Sequence, residues 1–385
     1  MTYAQLNGAE SRRRSEMIVE THGEVCRLGY LRIIPPLMRG LNEISLDYLA
    51  SQLESVSVSA SGPIASGLEN VPGFVRSRVV ARNYITLSQE FDFINRTRRH
   101  LGVNGLLYLG LRSSNKLDAI VKGTRKPSLS DLIALNDVEK TFFLNVLLTK
   151  DPYMIRGIIG WILERDEFNR VDAMNWIMEE VYPRSLQNVI DSSPKRLKEA
   201  LMPKLEEARR FKEERMKYTL KIDWIKSSLY AKYRHVAPPR VEWLVDVGLL
   251  EREGRGKYRV SNLVRRNADI FSRLISQSKE NVTDYLLAHV APLFITYGTK
   301  AIKETVIGEL LSTYKTLSQD GQQSVDLRLI EVATSFRLLE NNHYVTTRVI
   351  RELLNNLMIV YPDKVLVAPG VDEGLEIVKL DIESP

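Results

Sequence analysis

Apolar positions near the middle of the chain, Ile222, Trp224, Ile225, Leu229 and Tyr233, recur at helical spacing and predict an amphipathic helix. Val236-Ala237-Pro238-Pro239 then predicts a turn, because proline cannot sit in a helix interior but suits the first turn of the next helix. That next helix, Arg240 to Val247, would bury Val241, Leu244 and Val245 and stop at Gly248 with a left-handed cap. Leu249 to Arg252 and Lys257 to Val260 alternate as two short strands around the glycine-rich turn Glu253-Gly254-Arg255-Gly256.

Upstream, helices are expected around Leu28 to Arg39, interrupted at Pro35-Pro36, and from Ser45 through Leu46, Leu49, Ala50 and Leu53. Ser55 to Gly73, rich in serine, glycine and proline, reads as a long loop. Phe74 to Arg82 reads as a strand and Ser88 to His100 as a helix ending in Arg96, Arg98 and Arg99. The run from Leu106 reads as a strand, with a second near Leu117 to Val121 after a polar turn. Helices follow over Val138 to Leu163, Phe168 to Val181 and Lys198 to Met216, the last with the stripe Leu201, Leu205, Ala208 and Phe211. Beyond Arg266, helices are expected over Ile270 to Ile275, Val282 to Leu293, Ile302 to Leu317, Gln322 to Leu339 and Val345 to Met358. Strands over Val365 to Ala368 and Leu375 to Leu380 close the chain.

A length of 385 residues allows two or three domains, divided here as 1–130, 131–267 and 268–385. Apolar residues at 44% and charged residues at 26% are ordinary for a water-soluble chain, and no run of about 18 apolar residues occurs, so no membrane partner is expected. Arg12-Arg13-Arg14 with no apolar segment behind it is not a secretory signal, and the cytoplasm is the expected compartment. Charge changes the picture more. Arg76 to Lys126 carries eleven cations against three anions, a net +8, and Lys221 to Arg266 eleven against five, a net +6. From Ala268 onward the balance is eleven against sixteen, a net −5. Polyanion binding is therefore expected before residue 267, and a homodimer or protein contact through the acidic remainder.

Catalytic motifs are not found. There is no phosphate loop ending in Lys-Ser or Lys-Thr, no dinucleotide fingerprint, no His-Glu-x-x-His and no nucleophile elbow. A single cysteine, Cys26, excludes a disulfide framework, and with His22 it makes two ligands, too few for a metal site. Pro362-Asp363 with Glu376 and Lys379 distantly matches a metal-dependent nuclease pattern. A spacing of three on a strand points the last two to opposite faces, so no catalytic residue, metal or cofactor is expected there.

The segment PPRVEWLVDVGLLEREGRGKYRV resembles the third helix and wing of the winged-helix superfamily. The run LDAIVKGTRKPSLSDLIALNDVEKTFFLNVLL is similar to the inter-domain joint in the recognition halves of type IIS restriction endonucleases. The resemblance implies a mainly α fold with small β-hairpins (α+β), built from tandem winged-helix domains joined by helical linkers. It also implies a double-stranded DNA-binding protein, a regulator or the recognition component of a genome-defence or replication system. The expected DNA contacts are Arg96, Arg98, Arg99, Arg112, Lys116, Arg125, Lys126, Arg240, Arg252, Arg255, Lys257 and Arg259. The competing reading is a winged-helix scaffold subunit that binds protein and not DNA.

Overall fold

The computed structural model describes residues 18–23, 25–41, 44–61, 73–111, 113–295, 297–318, 324–370 and 376–381. The arginine triplet at 12–14, Arg112, most of the expected 55–73 loop and the tip of the last hairpin lie outside them. The fold is mainly helical with small sheets. No helix among the described residues is long and apolar enough to cross a membrane.

Among its described residues the amino-terminal third consists of helices joined by loops, with no named strand, which corrects the strands expected there. After a 3-10 turn at Leu28–Ile33 that runs into Ile34–Met38, α1 spans Leu46–Ser61, beyond the residue where the loop was expected to begin. Helix α2 is Arg78–Glu90, where a strand was expected. Ser77 caps it, accepting from the Val80 N–H, and its buried positions Ala81, Tyr84, Ile85 and Ser88 step by three and four. The helix expected to run to His100 stops at Glu90. Phe91, Phe93 and Ile94 are buried in a tight loop in which Asp92 and Arg99 take positive φ, +58° and +51°. Helices α3 (Val103–Gly110) and α4 (Ser114–Val121) replace the two expected strands, so no hairpin forms there.

Two units further on share a sheet order in which the first strand pairs with the last. In the first, α5 (Asp137–Lys150) and α6 (Pro152–Ile162) lead to β1 (Glu167–Asn169), a strand where helix was expected. Asn169 caps α7 (Arg170–Trp176), which passes through a wide turn at Ile177–Val181 into α8 (Tyr182–Ser192). An arm of α9 (Lys195–Arg209), α10 (Phe211–Met216) and α11 (Lys221–Lys226) follows, then α12 (Ser228–Asp246), β2 (Leu250–Arg252) and β3 (Lys257–Val260). The sheet order is β1-β3-β2, all antiparallel. After Ala268–Ile275 and β4 (Thr299–Lys300), the second unit runs α13 (Lys303–Leu317), β5 (Val325–Asp326), α14 (Leu327–Glu340), β6 (His343–Tyr344), α15 (Thr347–Val360), β7 (Val365–Pro369) and β8 (Glu376–Leu380). Its main sheet order is β5-β8-β7, again with the first strand against the last, while β4 and β6 form a separate parallel pair.

Helix α12 corrects the expected turn at the prolines, since it is continuous from Ser228 to Asp246 through Pro238 and Pro239. Pro239 has no N–H for the His235 carbonyl, and the Thr21 hydroxyl donates to that oxygen instead at 2.7 Å. The expected upstream stripe breaks at Ser227, whose hydroxyl caps α12 by accepting from the Tyr230 N–H at 3.0 Å, so Ile222 and Ile225 stay exposed on α11. Gly248 behaves as expected, at φ +77° just past the helix end.

One contiguous core runs through all three segments proposed from the sequence. The Phe142 and Phe336 rings meet edge to face at 5.5 Å, α3 packs on α14, and Glu340 accepts from the Ser113 N–H at 2.8 Å.

Candidate nucleic-acid interface

Along α12 the side chains left over once Val241, Leu244 and Val245 are assigned to the core, Arg240, Glu242, Trp243 and Asp246, turn inward as well. The first three are buried, and the Asp246 carboxylate is packed against Arg27. Arg240 is therefore withdrawn as a nucleic-acid contact. Its Nε donates to Asp151 Oδ2 at 2.7 Å, one Nη to the Val236 carbonyl and the other to the Val19 carbonyl, both at 2.8 Å. A buried guanidinium with an ionic partner and two carbonyl acceptors is a structural clamp. Trp243 donates its indole N–H to the Val25 carbonyl at 2.8 Å.

Glu242 braces the hairpin. One carboxylate oxygen accepts from the Tyr258 hydroxyl of β3 at 2.7 Å, and the other pairs with Arg252 of β2 and with Arg27. Arg27 in turn bonds Asp246 Oδ1 at 2.5 Å, and the Leu28 N–H bonds Asp246 Oδ2 at 2.8 Å. Burial pushes the Asp246 carboxyl up to about 6, against the pull of Arg27. Arg252, expected on nucleic acid, is thus committed to Glu242 at the hairpin root.

The hairpin tip is different. Phe168 and Tyr258 stack across β1 and β3 on the inner face at 5.5 Å, which leaves Lys257 and Arg259 on the outer face. Arg259 is neutralised by Glu251 at 3.2 Å and Glu253 at 2.9 Å. Arg255 and Lys257 are exposed, and among the described residues no carboxylate lies within ion-pairing distance of either. Gly254 and Gly256, at φ +96° and +73°, form the turn that presents Arg255.

The amino-terminal cations divide the same way. Arg96 pairs with Glu90. Lys116 and Arg125 converge on Asp131, where burial would raise the carboxyl but hydrogen bonds from Lys116 and Ser128 hold it down to about 2. Lys116 lies on helix α4, not on a hairpin. Arg98, Arg99 and Lys126 are exposed with no carboxylate at ion-pairing distance among the described residues. Arg98 and Arg99 are presented by a loop pinned where the Arg98 N–H donates to Asn95 Oδ1 at 2.9 Å.

Sequence reasoning passed over the outer face of α15. Ile350, Leu353, Leu354 and Leu357 are buried, leaving Arg348, Glu352, Asn355 and Asn356 exposed. The signal was present in the three-and-four spacing of the buried leucines. Beside it, Glu376 pairs with Arg351 at 3.3 Å. Cys26 is buried while His22 is exposed, and the described residues contain no cluster of three or more potential metal ligands. Comparison with protein-family models, with characterised proteins and with known structures finds no match to this chain.

Proposed function

We propose that this chain binds double-stranded DNA through two winged-helix units, as a regulator or as the recognition component of a genome-defence or replication system. The order helix, strand, helix, helix, hairpin, with the first strand against the last, is the connectivity expected of a winged helix; the second unit follows it apart from the short β6, and the first follows it once α8 and the arm are set aside, which supports the reading. The observation that carries the reading is the hairpin at 250–260, rooted on Glu242 and carrying two cations at its tip that no carboxylate among the described residues neutralises. Phosphate is the ligand that such a tip fits, and backbone N–H groups at two glycines allow close approach. On the second unit, Asn355 and Asn356 are the side-chain type that pairs with adenine edges in the major groove, while Arg348 beside them is paired with Glu352 at 3.2 Å.

Fluorescence anisotropy of the full chain with labelled duplexes across a salt series tests the reading. Affinity should fall steeply with salt, and Arg255→Ala with Lys257→Ala should shallow the log–log slope by up to about 2, near 0.9 for each phosphate no longer neutralised. An unchanged slope, or affinity indifferent to salt, would refute it. The scaffold reading is favoured by one observation, the exposed apolar side chains Ile359, Val360, Tyr361 and Leu366 beside the second hairpin. On that reading no duplex is bound at physiological salt.

A further inference from the structure

Outside the two units, the loop that follows α2 closes into a turn tipped with arginine. Ile94 and Leu101 pair as an isolated antiparallel bridge, and the Asn95 N–H donates to the His100 carbonyl at 2.8 Å. Within the turn Asn95 Oδ1 accepts from the Thr97 N–H at 3.0 Å and from the Arg98 N–H at 2.9 Å, while the Arg99 N–H donates to the Asn95 carbonyl at 3.1 Å. One side-chain amide therefore serves two N–H groups at the tip and holds the backbone in a single arrangement. Arg99 closes the turn at φ +51°, a conformation that glycine or asparagine would adopt more easily. Residues 96–99 are exposed throughout.

Three arginines crowd this turn, and the two carboxylates nearest in the chain are engaged elsewhere. Glu90 pairs with Arg96, and Asp92 with Lys150 at 3.0 Å. Among the described residues no carboxylate lies within ion-pairing distance of Arg98 or Arg99, and the segment from Arg76 to Lys126 is net +8. The root of the turn is packed into the core. The Phe93 ring stacks on Phe143 of α5 at 5.8 Å, and the Phe91 ring meets Trp243 of α12 at 5.2 Å. Trp243 is the neighbour of Glu242, which braces the hairpin at 250–260 through Tyr258 and Arg252. Turn and hairpin are thus built on the same few residues of α12, as parts of one close-packed body.

We propose that the turn at 95–100 is a second phosphate contact, acting together with the 250–260 hairpin on one bound duplex. This rests on the reading of the chain as a duplex-binding protein and adds to it a contact made by neither unit. A guanidinium pairs with phosphate oxygens through two parallel bonds, and two guanidinium groups on a pinned turn suit neighbouring phosphates of one strand. Phosphate contacts fix register and orientation and carry no sequence information, so the turn sets how the hairpin lies on the duplex and adds affinity whatever the sequence. Two contacts on one rigid body engage together without the ordering cost of a flexible tether.

Fluorescence anisotropy of the full chain at one-to-one binding, over a salt series and with two labelled duplexes of unrelated sequence, tests this. The proteins compared are Arg98→Ala with Arg99→Ala, Arg255→Ala with Lys257→Ala, and all four changes together. These side chains are exposed, so circular dichroism should be unchanged. The turn variant should shallow the log–log slope by up to about 2 and weaken binding roughly tenfold or more at about 0.1 M salt on both duplexes, and the combined variant should lose the sum of the two slopes. Arg98→Lys with Arg99→Lys keeps both charges and should keep most of the slope. Asn95→Ala keeps every charge but releases the two N–H groups at the tip, and should bind more weakly than the wild type. A turn variant with the wild-type slope beside a hairpin variant with a shallower one would overturn this proposal and leave the duplex reading standing. Unchanged slopes in both would overturn the reading and this proposal with it. An effect of the turn variant on one duplex alone, or wild-type affinity in Asn95→Ala, would also overturn the proposal.

Discussion

Arg240 and Asp246 lie on the same helix, and both read from the sequence as surface charges. Neither burial was legible, because Arg240 is paired with Asp151 in α5–α6 and Asp246 with Arg27 near the amino terminus, partners far away in the chain. Periodicity identifies an apolar face but does not say when a charged residue is buried with its partner. The pH dependence of stability follows from this. Folding raises the Asp246 carboxyl from its ordinary 3.8 to about 6, so ionisation is harder in the folded state. The group costs nothing below about pH 4, where both states are protonated, and the cost is complete above about pH 6. It amounts to about 3 kcal/mol at most. Urea unfolding of Asp246→Asn and wild type should therefore show the variant gaining ground by that order between about pH 4 and pH 7. A difference that does not vary with pH would mean that Arg27 and the Leu28 N–H keep the carboxylate ionised throughout.

Among the elements, those with strong apolar spacing and clear punctuation were legible, including α5, α6, α13, α15 and the hairpins β2–β3 and β7–β8. Strand β1 is three residues long, and its one buried side chain, Phe168, fits either period, so the sheet and not the local sequence decides it. The amino-terminal helices were misread because short apolar runs such as Leu106 to Leu109 carry no period of their own. Helix α12 was misread because its missing hydrogen bond is replaced from outside. Thr21→Val removes the hydroxyl that donates to the His235 carbonyl while preserving shape, and should cost about 1–2 kcal/mol in chemical denaturation. A cost near zero would show that the carbonyl is served equally well without it. Of the candidate contacts, the tip residues Arg255 and Lys257 were legible from the turn alone, whereas the neutralisation of Arg252 by Glu242 depended on the fold.

At the scale of the molecule, the charge division at Arg266 does not coincide with a division of the core. Cutting between 267 and 268 would expose Phe142 and Phe336 to water and strip α14 of its packing against α3 and α5. Separately produced 1–267 and 268–385 are therefore expected to aggregate or to lack a cooperative thermal transition, each being deprived of large buried aromatic area. A sharp transition for 268–385 alone, at the melting temperature of the full chain, would show that the second unit stands by itself. Helix α12 links the arm to the β2–β3 hairpin, and its 19 residues make a rod about 28 Å long. In mechanical terms it is a cantilever. The stretch from Arg240 to Leu244 is clamped by Asp151, Val19 and Val25, while the half nearer the arm is only partly buried. Its soft joint lies at Pro238 and Pro239, where two rungs of the helical ladder are missing, on the arm side of the clamp. A load applied at the arm should therefore bend the helix there, and the clamp should pass it to the core before it reaches the root of the hairpin.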